Sequence, residues 1–464
     1  MRNYFLPTRS IAAVALAATC MVFSCKSELD EPLSPNRTES GARLGFGHEF
    51  VTDEVIVKFT EGTEEDTKRK AFDRVGGSVF EDIYTRAMAR AGRTEGIKVV
   101  KINKNVADAI KELESMPGVE YAEPNYVYKH MAIATDPYFT NGSLWGMYGA
   151  GTIPANQYGS NAAAAWAAGN TGSAGVYVGI IDEGVQFTHT DLNGQVWTNP
   201  YDLADGVDND GNGYKDDIRG WDFAGNNNSI YDGGNRGSAD DHGTHVAGTI
   251  GGKANTTGVV GVNWNVTLIS AKFLGSNGGT TANAVKAVDY LTNLKNSKGL
   301  NIVASNNSWG GGGFSQALFD AISRANTANI MFIAAAGNSG TDNDVTASYP
   351  ANYNLPNVIS VAAIDKLGAL ASFSQFGAAT VDIGAPGVGV WSTTAFNTYS
   401  SYNGTSMATP HVTGAVALYA STHPGATVAQ MRNAILNSAV PTASLATKTV
   451  TGGRLDANAA LAMP

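Results

Sequence analysis

Apolar residues along the chain fall into three patterns. The first is one unbroken run, Ile11 to Phe23 (IAAVALAATCMVF), preceded by Arg2 and Arg9. A basic start followed by a short apolar stretch reads as an export signal, too short to span a bilayer comfortably. The second pattern runs from Glu54 to Tyr128. There Val55 to Phe59 predicts a strand, Glu64 to Val75 a charged amphipathic helix, and Ile97 to Ile102 an alternating strand. Asn105 to Met116 predicts a helix capped by Asn105, and Val119 to Tyr128 a further strand. This β-α-β-α-β order suggests a small ferredoxin-like α+β module. In the third pattern, apolar runs stop at polar residues: Val176 to Asp182 (VYVGIID) at a carboxylate, Ile330 to Asn338 (IMFIAAAGN) at an amide. Such runs suit strands buried on both faces. Asp241 to Gly248 reads as a loop entering a helix, and Gly404 to His411 sets a serine at the start of another, continued by apolar Val412 to Leu418. Pro410 is expected to be tolerated because first-turn amides have no intrahelical partner. The expected fold class is α/β, with a mainly parallel central sheet behind the small α+β module.

These patterns set the expected domains: a signal over 1–24, a tether over 25–49 marked by Pro32 and Pro35, a small module over 50–130, and a large domain over 131–464. Charge separates the last two. Residues 1–130 hold 18 Lys and Arg against 20 Asp and Glu, whereas 131–464 hold 13 against 21. A net-negative chain without basic clusters excludes nucleic acid as the partner. Beyond the signal no stretch has eighteen consecutive apolar residues, which excludes a polytopic membrane protein. Both cysteines, Cys20 and Cys25, precede residue 26, which excludes a disulfide scaffold. Val22-Phe23-Ser24-Cys25 resembles a bacterial lipobox, in which Cys25 is acylated. An ordinary secretory signal containing cysteines is the alternative, and either one exports the chain.

Four segments together carry a specific resemblance. Asp182 in a strand-end Asp-x-Gly, His242 in HGTHVAG, Asn338 in AAAGN and Ser406 in GTSMATPHVTG resemble, in order and spacing, the signatures of the subtilisin-like serine proteases. The resemblance implies a subtilisin-like three-layer fold and makes the preceding module an inhibitory propeptide. It also assigns roles. Ser406 is the nucleophile, His242 the base that takes its proton, and Asp182 the acid that orients the imidazole. Asn338 and the Ser406 N–H are the donors to the oxyanion. Taken singly, each residue has a blander reading, as turn cap, packed histidine or common turn. Glu183 departs from the family, which usually has Ser or Thr there; alternation along a strand is expected to point it away. His245, three residues after His242, is expected to be structural, because no HExxH pattern or third ligand accompanies it.

Calcium is the expected cofactor. Asp208, Asp210 and Asn212 occupy positions 1, 3 and 5 of an EF-hand-like loop, Tyr214 offers a carbonyl at 7, and Asp216 or Asp217 closes the shell. Arg219 replaces the glutamate usual at position 12. A solvated acidic loop is the alternative. By resemblance, a second site takes Asp191, the Asn255 side chain, and the carbonyls of Lys253, Thr257 and Val259. A third, weaker site lies near Asp382.

The resemblance also places substrate. Ser308, Trp309 and Gly310 match the edge that pairs with a peptide, Trp309 walls the S2–S4 side, and Ser348 floors an uncharged S1 pocket. Asp342 and Asp344 read as loop carboxylates. Broad cleavage with apolar or medium P1 residues is expected, by a monomer whose own propeptide is its intramolecular inhibitor. Maturation is expected to cut within 128–136, removing Cys25 and any lipid anchor. The competing reading is a catalytically dead relative that serves as a surface-binding lipoprotein.

Overall fold

The computed structural model describes residues 50–126, 133–233 and 240–464. The expected signal (1–24), Cys25, the tether (25–49) and the first residues of the expected cleavage interval lie outside the described residues. Among the described residues no helix is long and apolar enough to cross a membrane. The chain divides into two compact units between Tyr128 and Lys129.

The first unit runs β1 (Phe50–Phe59), α1 (Glu65–Arg74), β2 (Ser78–Ile83), α2 (Arg86–Arg90), β3 (Ile97–Lys101), α3 (Val106–Glu114) and β4 (Val119–Tyr126). Its strands form an antiparallel sheet in the ferredoxin-like order β2-β3-β1-β4. Val55, Val57 and Val100 of the sheet pack with Ala109, Ile110 and Leu113 of α3. Asn105 caps α3 by accepting a hydrogen bond from the Ala107 N–H. β2 and α2 are additions to the predicted order. Ser78 to Asp82 are all exposed, and a register shift falls between Val79 and Glu81. An edge strand with no buried face leaves no alternating signature in the sequence.

The second unit runs α4 (Pro137–Thr140), α5 (Ala162–Ala167), β5 (Gly172–Asp182), β6 (Gly220–Asp222), α6 (Asp241–Gly251), β7 (Asn265–Lys272) and α7 (Thr281–Lys298). It continues with β8 (Ile302–Asn307), α8 (Gln316–Thr327), β9 (Met331–Ala335), β10 (Val358–Ile364), β11 (Ile383–Pro386) and the hairpin β12 (Val390–Thr394) and β13 (Thr398–Tyr402). It ends with α9 (Thr405–Thr422), α10 (Val428–Asn437), β14 (Val440–Pro441), β15 (Gly453–Arg454) and α11 (Ala457–Ala460).

Nine strands form one sheet in the order β14-β15-β11-β10-β9-β8-β5-β7-β6, parallel throughout except for the β14–β15 pair. Two separate buried clusters cover its faces. One joins Val178 and Ile180 to α6 and α9, the other joins Ile181 and Ile269 to α7 and α8. A sheet covered on both faces explains the long apolar runs in β5, β9 and β10. The β8, β5 and β9 strands point their C-terminal ends at the same edge, where open α/β sheets place their ligands.

α9 is buried from Met407 through Ala420, as a helix apolar on all sides must be. Pro410 corrects the sequence expectation: it sits inside this helix, past the first turn. Its missing N–H frees the carbonyl of Ser406, and the Ser308 hydroxyl takes that carbonyl at 2.8 Å. In β5, Gly179 is required by the close approach of α7. A Cβ there would lie 2.1 Å from Leu291 Cδ1. Gly179→Ala is therefore expected to destabilise the second unit by about 1–3 kcal/mol through overpacking. Thermal denaturation checks this, and an unaltered melting temperature would contradict it.

Candidate active site

Four predicted residues sit where sheet ends meet helix starts. Asp182 closes β5, His242 is the second residue of α6, Ser406 the second of α9, and Asn338 lies three residues beyond β9. Asp182 is fully buried, and its Oδ1 accepts from His242 Nδ1 at 2.8 Å and from the Glu183 N–H at 2.8 Å. Burial disfavours a charged imidazole, yet the Asp182 charge, its hydrogen bond and the Glu183 charge outweigh that and lift His242 to about 9.

Ser406 and Ser308 are cross-linked. The Ser406 hydroxyl donates to Ser308 O at 3.1 Å, and the Ser308 hydroxyl donates to Ser406 O at 2.8 Å. The hydroxyl's partner is thus a carbonyl rather than His242. Asn338 Oδ1 accepts from Thr405 N (2.8 Å) and Thr405 Oγ1 (2.9 Å), which fixes the amide and leaves Nδ2 without a hydrogen bond among the described residues. The position of a Cβ on Gly404 would be 3.5 Å from both Asn338 Nδ2 and Ser406 N. Neither donor has a partner among the described residues, and both residues border one cleft, an arrangement open to a developing oxyanion.

A cleft of about 330 Å³ opens beside Ser406, with Ser308, Trp309, Gly310, Asn338 and Ser348 among its walls. No charged side chain lines it. Asp344 is spent on Ala379 N and Thr380 Oγ1, and Asp342 accepts from Asp344 N. Trp309 and Gly310 also border a second cleft of about 300 Å³, with Phe273, Leu274, Leu318 and Tyr349. β8 itself ends at Asn307, so Ser308 to Gly310 form the extended tail between the two clefts.

Glu183 does not point away as alternation suggested. Its Oε2 accepts from the His242 N–H at 3.3 Å, because the strand ends at Asp182 and the chain then turns through Gly184 at φ +127°. His245 is buried and packed: its ring stacks on Tyr402 at 4.6 Å and its Nε2 meets Val390 O at 2.9 Å. Burial drives its pKa down to about 3, so it stays neutral.

Sequence reasoning missed a buried ion cluster at the start of α6. Lys272, the register partner of Asp182 across β7, holds Asp240 and Asp232. Lys272 and Asp240 are buried. Only the apolar run of β7 ending in a lysine hinted at it. The hairpin β12–β13 then pins the same helix, with Ser392 Oγ donating to His245 O and Thr393 Oγ1 to Thr244 O.

Among the described residues no three His, Cys, Asp or Glu converge on one point. The predicted cation residues nevertheless differ in how they are satisfied. Fully buried Asp191 accepts from Asn255 Nδ2, Thr257 Oγ1 and Val259 N, and its backbone oxygen accepts from Lys253 N. Facing the same loop is Asp136, which the sequence reading overlooked. It is fully buried, accepts from Asn255 N through Oδ1, and has no partner for Oδ2. An orphaned buried carboxylate oxygen beside a second carboxylate fits a cation.

In the acidic loop, Asp208 accepts from Gly211, Asn212 and Gly213 N–H groups, and Asp210 from Asn212 N and Asn199 Nδ2. Asp217 accepts from Asn199, Asn212 and Tyr290, and the Tyr214 ring packs on Trp221, Phe223 and Tyr290. The loop is thus closed on protein donors, and Arg219 turns to Val196 O. The expectation of a cation at Asp382 is corrected: Arg432 already pairs with it at 2.6 Å.

Comparison with known proteins agrees with this layout. Residues 173–458 match the subtilase family (peptidase S8), and residues 37–125 match the fervidolysin N-terminal prodomain. A thermophilic serine proteinase from Bacillus sp. (strain AK1) is 32% identical over 89% of this chain and 90% of its own. Subtilisin DY from Bacillus licheniformis is 40% identical over 57% of this chain and 84% of its own. A solved protease from Pseudoalteromonas arctica PAMC 21717 superposes with a TM-score of 0.56, at 28% identity, over 71% of this chain and 99% of its own.

The ion cluster yields a direct expectation. Lys272→Met leaves the Asp240 carboxylate buried and unpaired, which should cost about 3–5 kcal/mol. A denaturant midpoint equal to that of the unaltered protein would show that the cluster contributes nothing.

Proposed function

The chain belongs to the subtilase family of serine peptidases and carries a fervidolysin-type prodomain, and on that footing we propose that it is an exported, calcium-stabilised endopeptidase working through Ser406, His242, Asp182 and Asn338. The observation that supports this reading most directly is the His242 imidazole held at Nδ1 by buried Asp182, with Ser406 and Asn338 together on the wall of one uncharged cleft. Ser406 Oγ swings from Ser308 O, gives its proton to the outer nitrogen of His242 and attacks the scissile carbonyl. Asp182 holds Nδ1 and stabilises the imidazolium, and the two N–H donors receive the negative oxygen. His242 then returns the proton to the leaving amine.

The uncharged cleft around Ser348 favours apolar or medium P1 side chains, and the apolar cleft beyond Trp309 takes residues further upstream. Polypeptides are the substrates. The prodomain acts as intramolecular inhibitor, and the first cut frees the mature enzyme from it and from any lipid on Cys25. Within the expected 128–136 interval that cut falls upstream of Ala134, because Ala134 and Asp136 are buried.

Purified protein should hydrolyse peptides and accept a fluorophosphonate label on Ser406. Ser406→Ala should abolish both and leave the precursor intact. Asn338→Ala should lower kcat by about 10²–10³, the magnitude established for such a donor in subtilisin. Labelling that persists in the Ser406 variant would assign the nucleophile elsewhere.

Calcium would be held by Asp136, Asp191 and the 253–259 loop, with the carbonyls of Lys253, Thr257 and Val259 and the Asn255 side chain completing the shell. There it neutralises two buried carboxylates and ties α4 to that loop. The 208–217 loop is the second candidate, supported by its ligand spacing, with Asp208, Asp210, Asn212, Tyr214 and Asp217 as its donors. Chelation should lower the melting temperature of the unaltered protein, and the Asp136→Asn, Asp191→Asn double variant should show a smaller calcium-dependent shift. Equal shifts in both proteins would remove these two residues from the site.

A further inference from the structure

One carboxylate beside His242 has no part in the steps above. Glu183 follows Asp182 directly, and its Oε2 takes the backbone N–H of His242 at 3.3 Å. That amide lies in the first turn of α6 and needs a partner from outside the helix. The helix's own candidates are occupied elsewhere. Asp240, at the N-cap, makes no side-chain cap and instead holds Lys272 and the Asp232 N–H; Asp241 accepts from Ala395 N.

The charges around the imidazole are therefore countable among the described residues. The end of β5 contributes Asp182, and the turn that follows it Glu183. The start of α6 contributes Asp240 and Asp241. β7 contributes Lys272, which is committed to Asp232 and Asp240. His245 on α6 and His411 on α9 are buried and held neutral, and the β13 hydroxyl of Tyr402 is neutral below strongly alkaline pH. Two carboxylates from consecutive residues thus flank one histidine, one on its ring and one on its backbone.

We infer that Glu183 is a positioning residue for His242, which fixes the start of α6 through the His242 amide and sets the pH range in which the imidazole can accept the Ser406 proton. This rests on His242 being the general base. The direction follows from the electrostatics. Burial and the Asp182 charge raise Glu183 to about 7, so it is ionised across the alkaline range in which His242 loses its proton. A negative charge there favours the imidazolium and delays deprotonation, so the acid limb of activity lies higher than Asp182 alone would place it.

Glu183→Gln keeps an acceptor for the His242 N–H and removes the charge; Glu183→Ala removes both. The enzyme is prepared from the full chain, its active serine counted with a fluorophosphonate, and kcat/KM for a peptide substrate followed across pH. The acid limb of Glu183→Gln should move down by about one pH unit. Glu183→Ala should show the same displacement together with a lower plateau and a lower melting temperature, from loss of the helix contact. Limbs that coincide with the unaltered enzyme, or a loss of activity equal at every pH, would reduce Glu183 to a structural contact and overturn the inference. An unaltered enzyme that neither labels nor cleaves overturns the general-base reading as well, which separates the two failures.

Discussion

The second unit is organised around a buried negative charge. Asp182 is fully enclosed at the C-terminal end of β5, and an isolated carboxylate in that position would be strongly unfavourable. The imidazole of His242 meets it, but only if α6 begins at the right height against the sheet. Three sets of contacts hold it there. Lys272 grips the N-cap Asp240, Glu183 takes the His242 amide, and the β12–β13 hairpin binds the first two turns through Ser392 and Thr393. The geometry of His242 thus depends on one buried ion pair and on hydrogen bonds from the Glu183 carboxylate and the β12 hydroxyls.

Ser406, the proposed nucleophile, is positioned by a different device. α9 crosses the core with apolar residues on all sides, so its register is set by packing. Pro410 removes one rung of the helix, and the exposed carbonyl belongs to Ser406 itself. Ser308 answers it from the end of β8, and in return receives the Ser406 hydroxyl. One proline therefore couples the Ser406 backbone to the wall of the adjacent cleft. The fit of Thr405 to Asn338 Oδ1 extends the same coupling to the Asn338 amide.

How much of this the sequence carried depends on the range of the interaction. Buried parallel strands write long apolar runs, so β5 and β9 and the residues just past their ends were legible. The four-motif pattern located Asp182, His242, Asn338 and Ser406 because each lies beside a strand end or helix start that local patterning marks. β2 of the small module was not legible, since an exposed edge strand has no buried face to enforce alternation. Glu183 was misread because alternation holds only inside a strand, and the strand stops one residue earlier. Asp136 left no local signal, and Lys272 only that of a lysine ending an apolar run, for another reason: their partners, Asn255 and Asp240, lie far along the chain.

The surplus of acidic residues in the second unit can be resolved site by site. Asp182 is answered by His242, Asp232 and Asp240 by Lys272, and Asp382 by Arg432. Asp208, Asp210 and Asp217 are answered mainly by amides and a tyrosine hydroxyl, with Lys298 at 3.9 Å from Asp210. Asp136 and Asp191 differ from all of these. Both are fully buried, both face one loop, and among the described residues neither has a basic side chain within ion-pair distance. Amide and hydroxyl donors satisfy Asp191, yet one oxygen of Asp136 has nothing. Where the chain supplies a lysine or arginine, no metal is required, as Asp382 illustrates. Where it supplies two buried carboxylates and an unfilled oxygen, burial holds Asp136 above the usual carboxylate range and leaves the place that the proposed cation would fill.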